Sequence, residues 1–329
     1  MRIIRTLFWT VIGISCLASL LGFAGRGWWL FELASHFRVQ YLALLASGAL
    51  VLLAARYYRL AAALTACALM NLYVLLPLYV SAAAGGPHEH AVRIVSANVK
   101  AENTRRSALL EFIRTSDPDI VTLFEVSDSW LDATAELEPQ FPYSRINAIK
   151  GHFGSALFSK YPIEQMELKR FGRISHYAVS ARLNINGAPL HLIGAHVLAP
   201  THSAYFKMRN AHLEEIASTA HRLPDPVMLI GDLNTSTWSP YFHDLKQAAG
   251  LKDGRPGFGI QATWPVNFPL LRIPIDHCLV SPSVTIRNWV RGPDIGSDHF
   301  PIMVDFSLPG TARQTTQQNT RTTDIAPAS

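Results

Sequence analysis

The chain has 329 residues, of which 49% are hydrophobic and only 16% are charged, whereas soluble domains carry roughly 25% charged residues. This composition excludes disorder over most of the chain, and three cysteines exclude a disulfide-stapled scaffold. The first 86 residues hold six arginines and one acid, Glu32, so the whole formal charge of +5 lies there, and the neutral remainder does not indicate a nucleic-acid-binding protein.

Three windows without charged residues divide the first 86 residues, at 6–25, 39–55 and 60–87. Because a helix rises about 1.5 Å per residue, about 20 residues cross the hydrocarbon core, and the windows predict three transmembrane helices. A cleaved signal peptide is the alternative for the first window only, and a buried soluble bundle needs polar faces that the windows lack. We therefore expect a transmembrane segment over residues 1–83.

The arginines of this segment predict its orientation. Arg2 and Arg5 precede the first window, and Arg56 and Arg59 form the turn between the second and third, while residues 60–92 contain no base. Positively charged loops stay in the cytoplasm, so the N-terminus is expected there, in a bacterial-type inner membrane. Three spans then deliver the rest of the chain to the other side.

After a Gly- and Pro-containing linker at 84–91, strands and helices are mixed, which favours an α+β domain over residues 92–308. Hydrophobic alternation predicts strands and helical spacing predicts helices. The strands are predicted at 93–99, 119–124, 155–158, 177–185, 189–196, 227–230, 273–280, 285–290 and 301–306, and the helices at 104–115, 127–137, 203–223 and 240–249. Residues 309–329 are rich in Thr, Gln, Ala and Ser and are expected to form a disordered tail.

Polar side chains recur at the ends of the predicted strands, where they can share one surface. They are Asn98, Glu125, His196, Asp232, Asn234, Asp276, Asp298 and His299. Carboxylate and amide oxygens suit Mg²⁺ or Mn²⁺, and a metal beside an Asp and two His can support phosphoryl chemistry. Nucleophile-elbow, P-loop and zincin motifs are absent. Each residue taken singly is equally well explained as a cap, a turn residue or a buried polar group.

Taken in chain order, these residues resemble the endonuclease/exonuclease/phosphatase superfamily, which includes DNase I-like nucleases, inositol-polyphosphate phosphatases and neutral sphingomyelinases. The strongest marks are Gly231-Asp232-Leu233-Asn234, Ile275-Asp276-His277 and Ser297-Asp298-His299. The resemblance covers about residues 92–308. It implies a four-layer α/β/β/α sandwich, DNase I-like, with the site at one rim. This domain follows the three-helix transmembrane segment that the apolar windows predict.

The resemblance also implies a metal site for Mg²⁺ or Mn²⁺. Glu125 is the expected main ligand, with Asn98 beside it and Asp298 in or next to the metal shell. Many family nucleases place a mid-chain Tyr or Arg against phosphate, and this chain departs from that pattern. His152 is a candidate for that place by its position alone.

The remaining residues receive catalytic roles from the same resemblance. Asp232 is expected to orient or deprotonate the attacking water, and Asn234 to hold a phosphoryl oxygen. His196 is expected to contact phosphate and to protonate the leaving oxygen. His299, oriented by Asp276, is expected to stabilise the charge that develops on the phosphoryl group.

These expectations together describe a membrane-anchored, divalent-metal-dependent phosphoester hydrolase. Its substrate is either nucleic acid, or a phospholipid or small phosphodiester within reach of the lipid bilayer. Residues 87–309 carry 21 bases and 22 acids, which argues mildly against extended polynucleotide binding. A non-catalytic membrane binding module on the same fold is the remaining alternative, and it requires a lost site residue, whereas every main position is filled.

Overall fold

The computed structural model describes residues 2–80, 91–149, 151–171 and 176–309. The predicted linker at 84–91 and the predicted tail at 309–329 lie outside the described residues except at Ala91 and Pro309. The described chain comprises a group of N-terminal helices and a domain built on two six-stranded sheets.

The N-terminal helices are α1 (Arg2–Leu21), α2 (Trp29–Ser35), α3 (Arg38–Ala54) and α4 (Tyr58–Leu75). With short 3₁₀ extensions, α1 and α4 are long and apolar enough to cross a membrane. The 17-residue α3 reaches that length only together with α2, from which it is bent by 70°. The sequence predicted three equivalent spans. The structure has two, plus this bent pair, because the polar face of α2 packs against the domain instead of continuing α3.

Helices α1, α3 and α4 pack around small residues. Leu45, Leu64 and Ile12 share one buried cluster. A Cβ atom at Gly48 would lie 2.6 Å from Ile12 Cδ1, so a larger residue there would displace the end of the Ile12 side chain between α1 and α3. Small residues at such positions let helix backbones approach each other in a bilayer, where packing is the main source of helix association.

The described residues of the domain form twelve strands, in two sheets, and four α-helices. The first sheet has the order β11-β12-β1-β2-β4-β3 and the second β5-β6-β7-β8-β10-β9. The strands are β1 (Val92–Asn98), β2 (Ile120–Phe124), β3 (Tyr143–Asn147), β4 (Ser155–Ser159), β5 (Ile163–Phe171), β6 (His176–Ile185), β7 (Ala188–His196), β8 (Val227–Asp232), β9 (Lys252–Asp253), β10 (Asp276–Val280), β11 (Thr285–Arg291) and β12 (Ile302–Ser307). The helices are α5 (Arg106–Ser116), α6 (Leu131–Ala135), α7 (Ser203–Arg222) and α8 (Pro240–Ala249).

The two sheets pack face to face and helices cover their outer faces. Strand residues point alternately to the two faces. Ile94 of β1 therefore joins Ile230 of β8 in the core between the sheets, whereas its neighbour Val95 packs with Ile113 of α5. On the second sheet, Leu229 packs outward against α7 and α8. This is the predicted α/β/β/α sandwich.

Two features of the domain differ from the sequence predictions. Strands β3 and β5 were not predicted, because β3 is largely polar and the pairing of β5 shifts register between Ile163 and Gln165, which interrupts its alternation. The helix predicted at 127–137 is only the 3₁₀ turn Asp128–Trp130 followed by the five-residue α6.

Parallel pairing places the functional strand ends at one edge. β1 runs parallel to β2, and β7 runs parallel to β8 with His196 opposite Asp232. β10 is antiparallel to β8, and Asp276 at its start lies opposite Asp232. Because strand ends of like direction meet at the same edge of a sheet, the polar residues that follow these strands face one rim of the sandwich.

Candidate active site at the rim of the sandwich

The backbone at the rim adopts conformations that few residues accept. Gly231 has φ +136°, and a Cβ atom there would lie 2.1 Å from the Ala195 carbonyl oxygen. Glu125 and Asn234 are in the left-handed region, with φ 61° and 47°. Such conformations in non-glycine residues cluster at functional sites, where the surrounding structure holds them. The Gly-Asp-Leu-Asn motif therefore spans the end of β8 and the bend that follows it, and Asp232 lies there within hydrogen-bonding distance of Asn98 in the first sheet.

Asp232 lies at the centre of the site and is fully buried. One carboxylate oxygen accepts a hydrogen bond from the Asn234 backbone N–H at 2.9 Å, and the other accepts one from Asn98 Nδ2 at 3.2 Å. Burial raises the pKa of Asp232 to about 6, although the nearby imidazoles of His299 and His196 oppose that rise. The result is a carboxylate that is ionised at neutral pH and still accepts a proton readily.

His299 lies between two carboxylates. Its Nδ1 is 3.0 Å from Asp276 Oδ2 and its Nε2 is 3.6 Å from Asp232 Oδ2. Burial alone lowers the pKa of His299, but the charges of Asp276 and Asp232 outweigh it and raise the pKa to about 10. An imidazolium fits this position, with Nδ1–H donating to Asp276 and Nε2–H facing Asp232 at ion-pair distance. Asp276 is fixed in turn, because its backbone N–H and that of Ile275 both donate to Thr263 Oγ1.

Asp232, Asp276 and His299 also form a cluster whose ligand atoms all lie within 4.8 Å of one another. A histidine binds a metal only as a neutral imidazole, with an unprotonated ring nitrogen that faces the ion. The carboxylate on each side of His299 favours its protonated form instead. We therefore interpret this cluster as a charge-paired proton-handling group.

Glu125 lies on the more open side of the site. Its Oε1 accepts from Asn98 Nδ2 at 2.9 Å and its Oε2 lies 2.8 Å from His152 Nδ1. Burial raises the pKa of Glu125, but the charges of His196 and His152 and the hydrogen bonds prevail, so that the net pKa is lowered. The hydrogen bond to Glu125 correspondingly raises the pKa of His152. Glu125 is therefore a permanent negative charge at neutral pH.

His196 joins the two sides of the site. Its Nε2 is 3.6 Å from Asp232 Oδ2 and 3.7 Å from Glu125 Oε1, while its Nδ1 faces the His152 carbonyl oxygen at 3.1 Å. The carbonyl accepts from Nδ1–H, which leaves Nε2 to face the rim. The ring is also stacked on Phe153, with centroids 6.3 Å apart.

Asn234 is engaged differently from the role that the resemblance implied. Its side-chain Nδ2 donates to the Val197 carbonyl oxygen at 2.8 Å and to Asp232 Oδ2 at 3.3 Å. Both amide hydrogens are thus directed into the protein, and with its backbone N–H the residue holds the Asp232 carboxylate from two sides. Asn234 therefore fixes Asp232 in this structure, and its contact with a phosphoryl oxygen stays a prediction.

The sequence profile of the Endonuclease/Exonuclease/phosphatase family matches residues 95–299, which contain every one of these side chains. The chain belongs to this family. Within it, the uncharacterized protein YbhP of Escherichia coli (strain K12) is 31% identical over 241 residues, covering 61% of this chain and 87% of YbhP. The family assignment confirms the resemblance drawn from the motifs.

Solved structures share the fold at low identity. The crystal structure of D. rerio TDP2 complexed with single strand DNA product is 19% identical with a TM-score of 0.58, covering 67% of this chain and all of that chain. Beta toxin from Staphylococcus aureus, in a mutant with bound magnesium ions, is 18% identical with a TM-score of 0.52, covering 65% of this chain and 99% of that chain. Both show the DNase I-like sandwich.

The donors on the open side of the site fit a hard divalent cation. Glu125 and Asp298 supply carboxylate oxygens and Asn98 an amide, with no thiol beside them, as Mg²⁺ and Mn²⁺ prefer. Asp298 has partners of its own, because Oδ1 lies 3.9 Å from Lys100 Nζ and Oδ2 accepts from Trp264 Nε1 at 3.4 Å. A bound cation would be held by Glu125 and Asn98, with Asp298 at its edge.

Three further residues at the rim were not predicted from the sequence. Lys100 reaches Asp298, Glu102 lies 3.4 Å from His152 Nε2, and the Trp264 ring lies 6.4 Å from that of His299. Lys100 and Glu102 closely follow Asn98 at the end of β1. Their closeness to Asn98 in the sequence was the one signal that could have placed them at the rim. Trp264 lies between α8 and β10, and nothing in the sequence placed it beside Asp298.

Proposed function

We propose that the chain is a membrane-anchored, divalent-metal-dependent phosphodiesterase that directs a water molecule at a phosphoryl group bound at the rim. The observation that carries the proposal is the series Asp276, His299, Asp232, in which two carboxylates flank one imidazole beside Glu125. In this series the positive charge of His299 lies next to the Asp232 carboxylate, which accepts a proton readily. Phosphoryl transfer requires both, because charge develops on the phosphoryl oxygens while water loses a proton.

Each residue contributes one part of the hydrolysis. When bound, Mg²⁺ supplies positive charge that polarises a phosphoryl oxygen. Asp232 accepts the proton of the attacking water as the new P–O bond forms. His299, as an imidazolium, donates to a phosphoryl oxygen and stabilises its added charge. His196 presents Nε2 to the rim and, when it carries a proton on Nε2 as well as on Nδ1, gives the Nε2 proton to the leaving oxygen as the old P–O bond breaks.

The contacts between the helices and the domain support anchoring of the domain at one membrane face. Hydrogen bonds join the domain to the N-terminal segment at three points. Just after α1, Arg26 donates to Asp244, and at the start of α3, Gln40 donates to the Arg272 carbonyl oxygen. Just after α4, the Leu78 carbonyl oxygen accepts from the Gly257 backbone N–H. All three points lie at the same end of an up-down-up arrangement. With the N-terminus in the cytoplasm, the domain lies on the opposite side of an inner membrane.

One surface segment favours a lipid phosphodiester as substrate. Phe268, Leu270 and Leu271 are 63%, 85% and 52% exposed, in a loop between Trp264 of the site wall and Arg272, which contacts the start of α3. Exposed apolar side chains beside the membrane helices are stabilised by insertion at the bilayer surface. The loop would hold the rim against the headgroups, where a phospholipid rather than a polynucleotide presents its phosphodiester.

The proposal is tested with the full chain in detergent micelles or nanodiscs, with Mg²⁺ or with excess EDTA. Substrates are bis(4-nitrophenyl) phosphate, single- and double-stranded DNA, and vesicles of sphingomyelin or phosphatidylglycerol. Hydrolysis that EDTA abolishes is expected, with the largest turnover on vesicles. Turnover of DNA that falls steeply with salt would instead identify a nuclease.

A matched pair of variants separates the site from the protein surface. His299→Gln is expected to abolish hydrolysis, whereas His221→Gln, which alters an exposed histidine of α7, is expected to retain it. Full activity of His299→Gln would refute the proposed roles. Turnover by the unmodified chain would exclude the non-catalytic binding module.

A further inference from the structure

The only acid in the first 86 residues is buried against the catalytic domain. Glu32 of α2 is fully buried, and its Oε1 accepts from Ser239 Oγ at 2.6 Å and pairs with Arg209 Nη2 at 3.0 Å. Thr235 Oγ1 lies at 3.4 Å from the same oxygen, and His36 Nε2 is 3.3 Å from Oε2. A helix of the N-terminal segment therefore contributes its single carboxylate to the interior of the domain.

Arg209 of α7 carries this contact to the active site. It is fully buried, and its Nη1 donates to the Asn234 carbonyl oxygen at 3.0 Å. Phe206 and Tyr241 lie 5.5 and 5.6 Å from its guanidinium carbon, at distances that favour cation–π attraction. Glu32 and Arg209 thus form a two-step link from the membrane segment to the residue that holds Asp232.

The rest of the loop after Asp232 is held from two sides. His36 Nδ1 lies 2.8 Å from Ser236 Oγ, and the Thr235 carbonyl accepts from His277 Nε2 at 2.7 Å. Thr235, Ser236 and Ser239 are fully buried. Residues 234–239 therefore run between α2 on one side and β10 on the other, and their polar groups are bound by both.

The cost of this arrangement indicates a role beyond stability. Taking a carboxylate and a guanidinium out of water costs several kcal/mol per ion, and apolar residues of equal volume often serve stability better. What a buried charge pair provides is a defined geometry. Here that geometry ends at Asn234, whose backbone N–H and side-chain amide both bind the Asp232 carboxylate.

We propose that Glu32 and Arg209 are positioning residues of the active site, so that α2 of the membrane segment is a working part of the catalytic machinery. The Glu32–Arg209 pair holds the Asn234 carbonyl, and Asn234 holds Asp232 in the orientation that accepts the proton of water. The inference rests on the proposed hydrolase function for its kinetic effect. Its structural part, an ordered 234–239 loop that depends on Glu32, stands independently of turnover.

The test uses the full chain in detergent with Glu32→Gln, Arg209→Met and the double variant. The matched control is Arg26→Ala, which removes another ion pair between the membrane segment and the domain. That pair joins Arg26 to Asp244 at 2.6 Å, is exposed, and does not touch the 234–239 loop. Two readouts are taken: amide hydrogen exchange over residues 232–239, and kcat and KM for bis(4-nitrophenyl) phosphate.

Glu32→Gln is expected to accelerate exchange in 234–239 and to lower kcat by about tenfold or more with KM within about twofold, because small displacements of reacting groups cost rate rather than binding. Since both residues act through one contact, the double variant is expected to lose no more kcat than the worse single variant. Arg26→Ala is expected to match the unmodified chain in both readouts.

Wild-type exchange in Glu32→Gln, or an equal effect of Arg26→Ala, would overturn the inference. If Glu32→Gln does not fold, Glu32→Asp, which keeps the charge on a shorter side chain, takes its place in the same comparison. If the unmodified chain hydrolyses no phosphodiester, the proposed function fails, while the exchange data still decide whether Glu32 orders the loop.

Discussion

The two halves of the rim are built from similar residues in different surroundings. The buried half, Asp232, Asp276 and His299, has side chains that are 1%, 5% and 7% exposed. In the open half, the Glu125, Asp298 and His152 side chains are 13%, 37% and 52% exposed. Burial raises the pKa of Asp232 to about 6, whereas imidazole neighbours and hydrogen bonds leave the pKa of Glu125 below its ordinary value.

This difference explains why one site needs several carboxylates. A carboxylate that accepts a proton during turnover must have its pKa near the working pH, and burial supplies that shift. A carboxylate that holds a cation must stay ionised, and hydrogen-bond donors and partial exposure ensure it. In the proposed scheme, the buried half therefore carries proton transfer and the open half carries cation binding. Substitutions that are matched in chemistry but placed in different halves test this division.

The largest effect is expected for Asp232→Asn. Removal of the proton acceptor should lower kcat/KM by roughly 10³-fold or more. The raised pKa of Asp232 means that its ionised form is disfavoured in the folded state, so the neutral amide should leave thermal stability at pH 7.5 unchanged or higher. Steady-state kinetics and a melting curve on the same preparation test both statements. Activity within tenfold of wild type would contradict the assigned role.

A smaller loss, about 10²-fold in kcat, is expected for Asp276→Asn with little change in KM. Asp276 touches no substrate in this scheme, but its carboxylate holds His299 protonated and in one orientation. The matched control is Asp305→Asn on β12, where a carboxylate pairs with Arg93 away from the rim. That control should keep full kcat, although it removes an ion pair of comparable geometry. Equal losses in both variants would point to general destabilisation.

The sequence was sufficient to predict the strands that carry the site but not the contacts that complete it. The strands that carry the site are β1, β2, β7 and β8, which are buried and strongly apolar, so their periodicity is clear. A polar residue stands at the end of each strand or directly after it. The order of these polar residues along the chain matches the order in the family, and this match predicted that residues far apart in the sequence share one site. The actual partners, such as His152 with Glu125, depend on how separate loops meet, and spacing along the chain does not encode this.

The N-terminal segment shows the same limit more strongly. Its apolar windows predicted membrane helices, but residues 26–38 looked like a charged loop because Glu32 and His36 interrupt the hydrophobic pattern. Residues 29–35 of this stretch form α2, and the polar groups of Glu32 and of His36, which directly follows the helix, meet Arg209 and Ser236 of the domain. A polar residue whose partners lie about 200 positions away has no local signature. Its role becomes visible only when both segments are folded.

In the open half, Glu125→Gln is expected to raise the Mg²⁺ concentration needed for half-maximal activity by about tenfold or more, because a neutral amide replaces a charged oxygen ligand. Activity at saturating Mg²⁺ should recover more fully than that of Asp232→Asn at any concentration. Rates measured over a Mg²⁺ titration, with Mn²⁺ as a second series, separate the two halves directly. An unchanged Mg²⁺ requirement would remove Glu125 from the cation site.

The smallest effect on activity is expected beneath the buried half, at His277. Its Nε2–H donates to the Thr235 carbonyl, its Nδ1 faces Arg255 Nη2 at 3.4 Å, and its ring packs on Phe242 with centroids 4.5 Å apart. These partners require the neutral imidazole. Burial, with the charge of Arg255, lowers the pKa of His277 well below its ordinary value.

The sign of the pH dependence follows from this lowered pKa. Below pH 6.5 the unfolded chain binds a proton at His277 and the folded chain does not, so folding loses about 1.4 kcal/mol for each further pH unit until the folded state also takes up the proton. Denaturation of the full chain in detergent at pH 8 and pH 5 measures the loss. His277→Gln keeps a donor for Thr235 but cannot titrate, so its stability should fall less between the two pH values than that of the wild type. An equal fall in both proteins would mean that His277 is protonated in the folded state, and the loop after Asp232 would then be held by contacts other than those described.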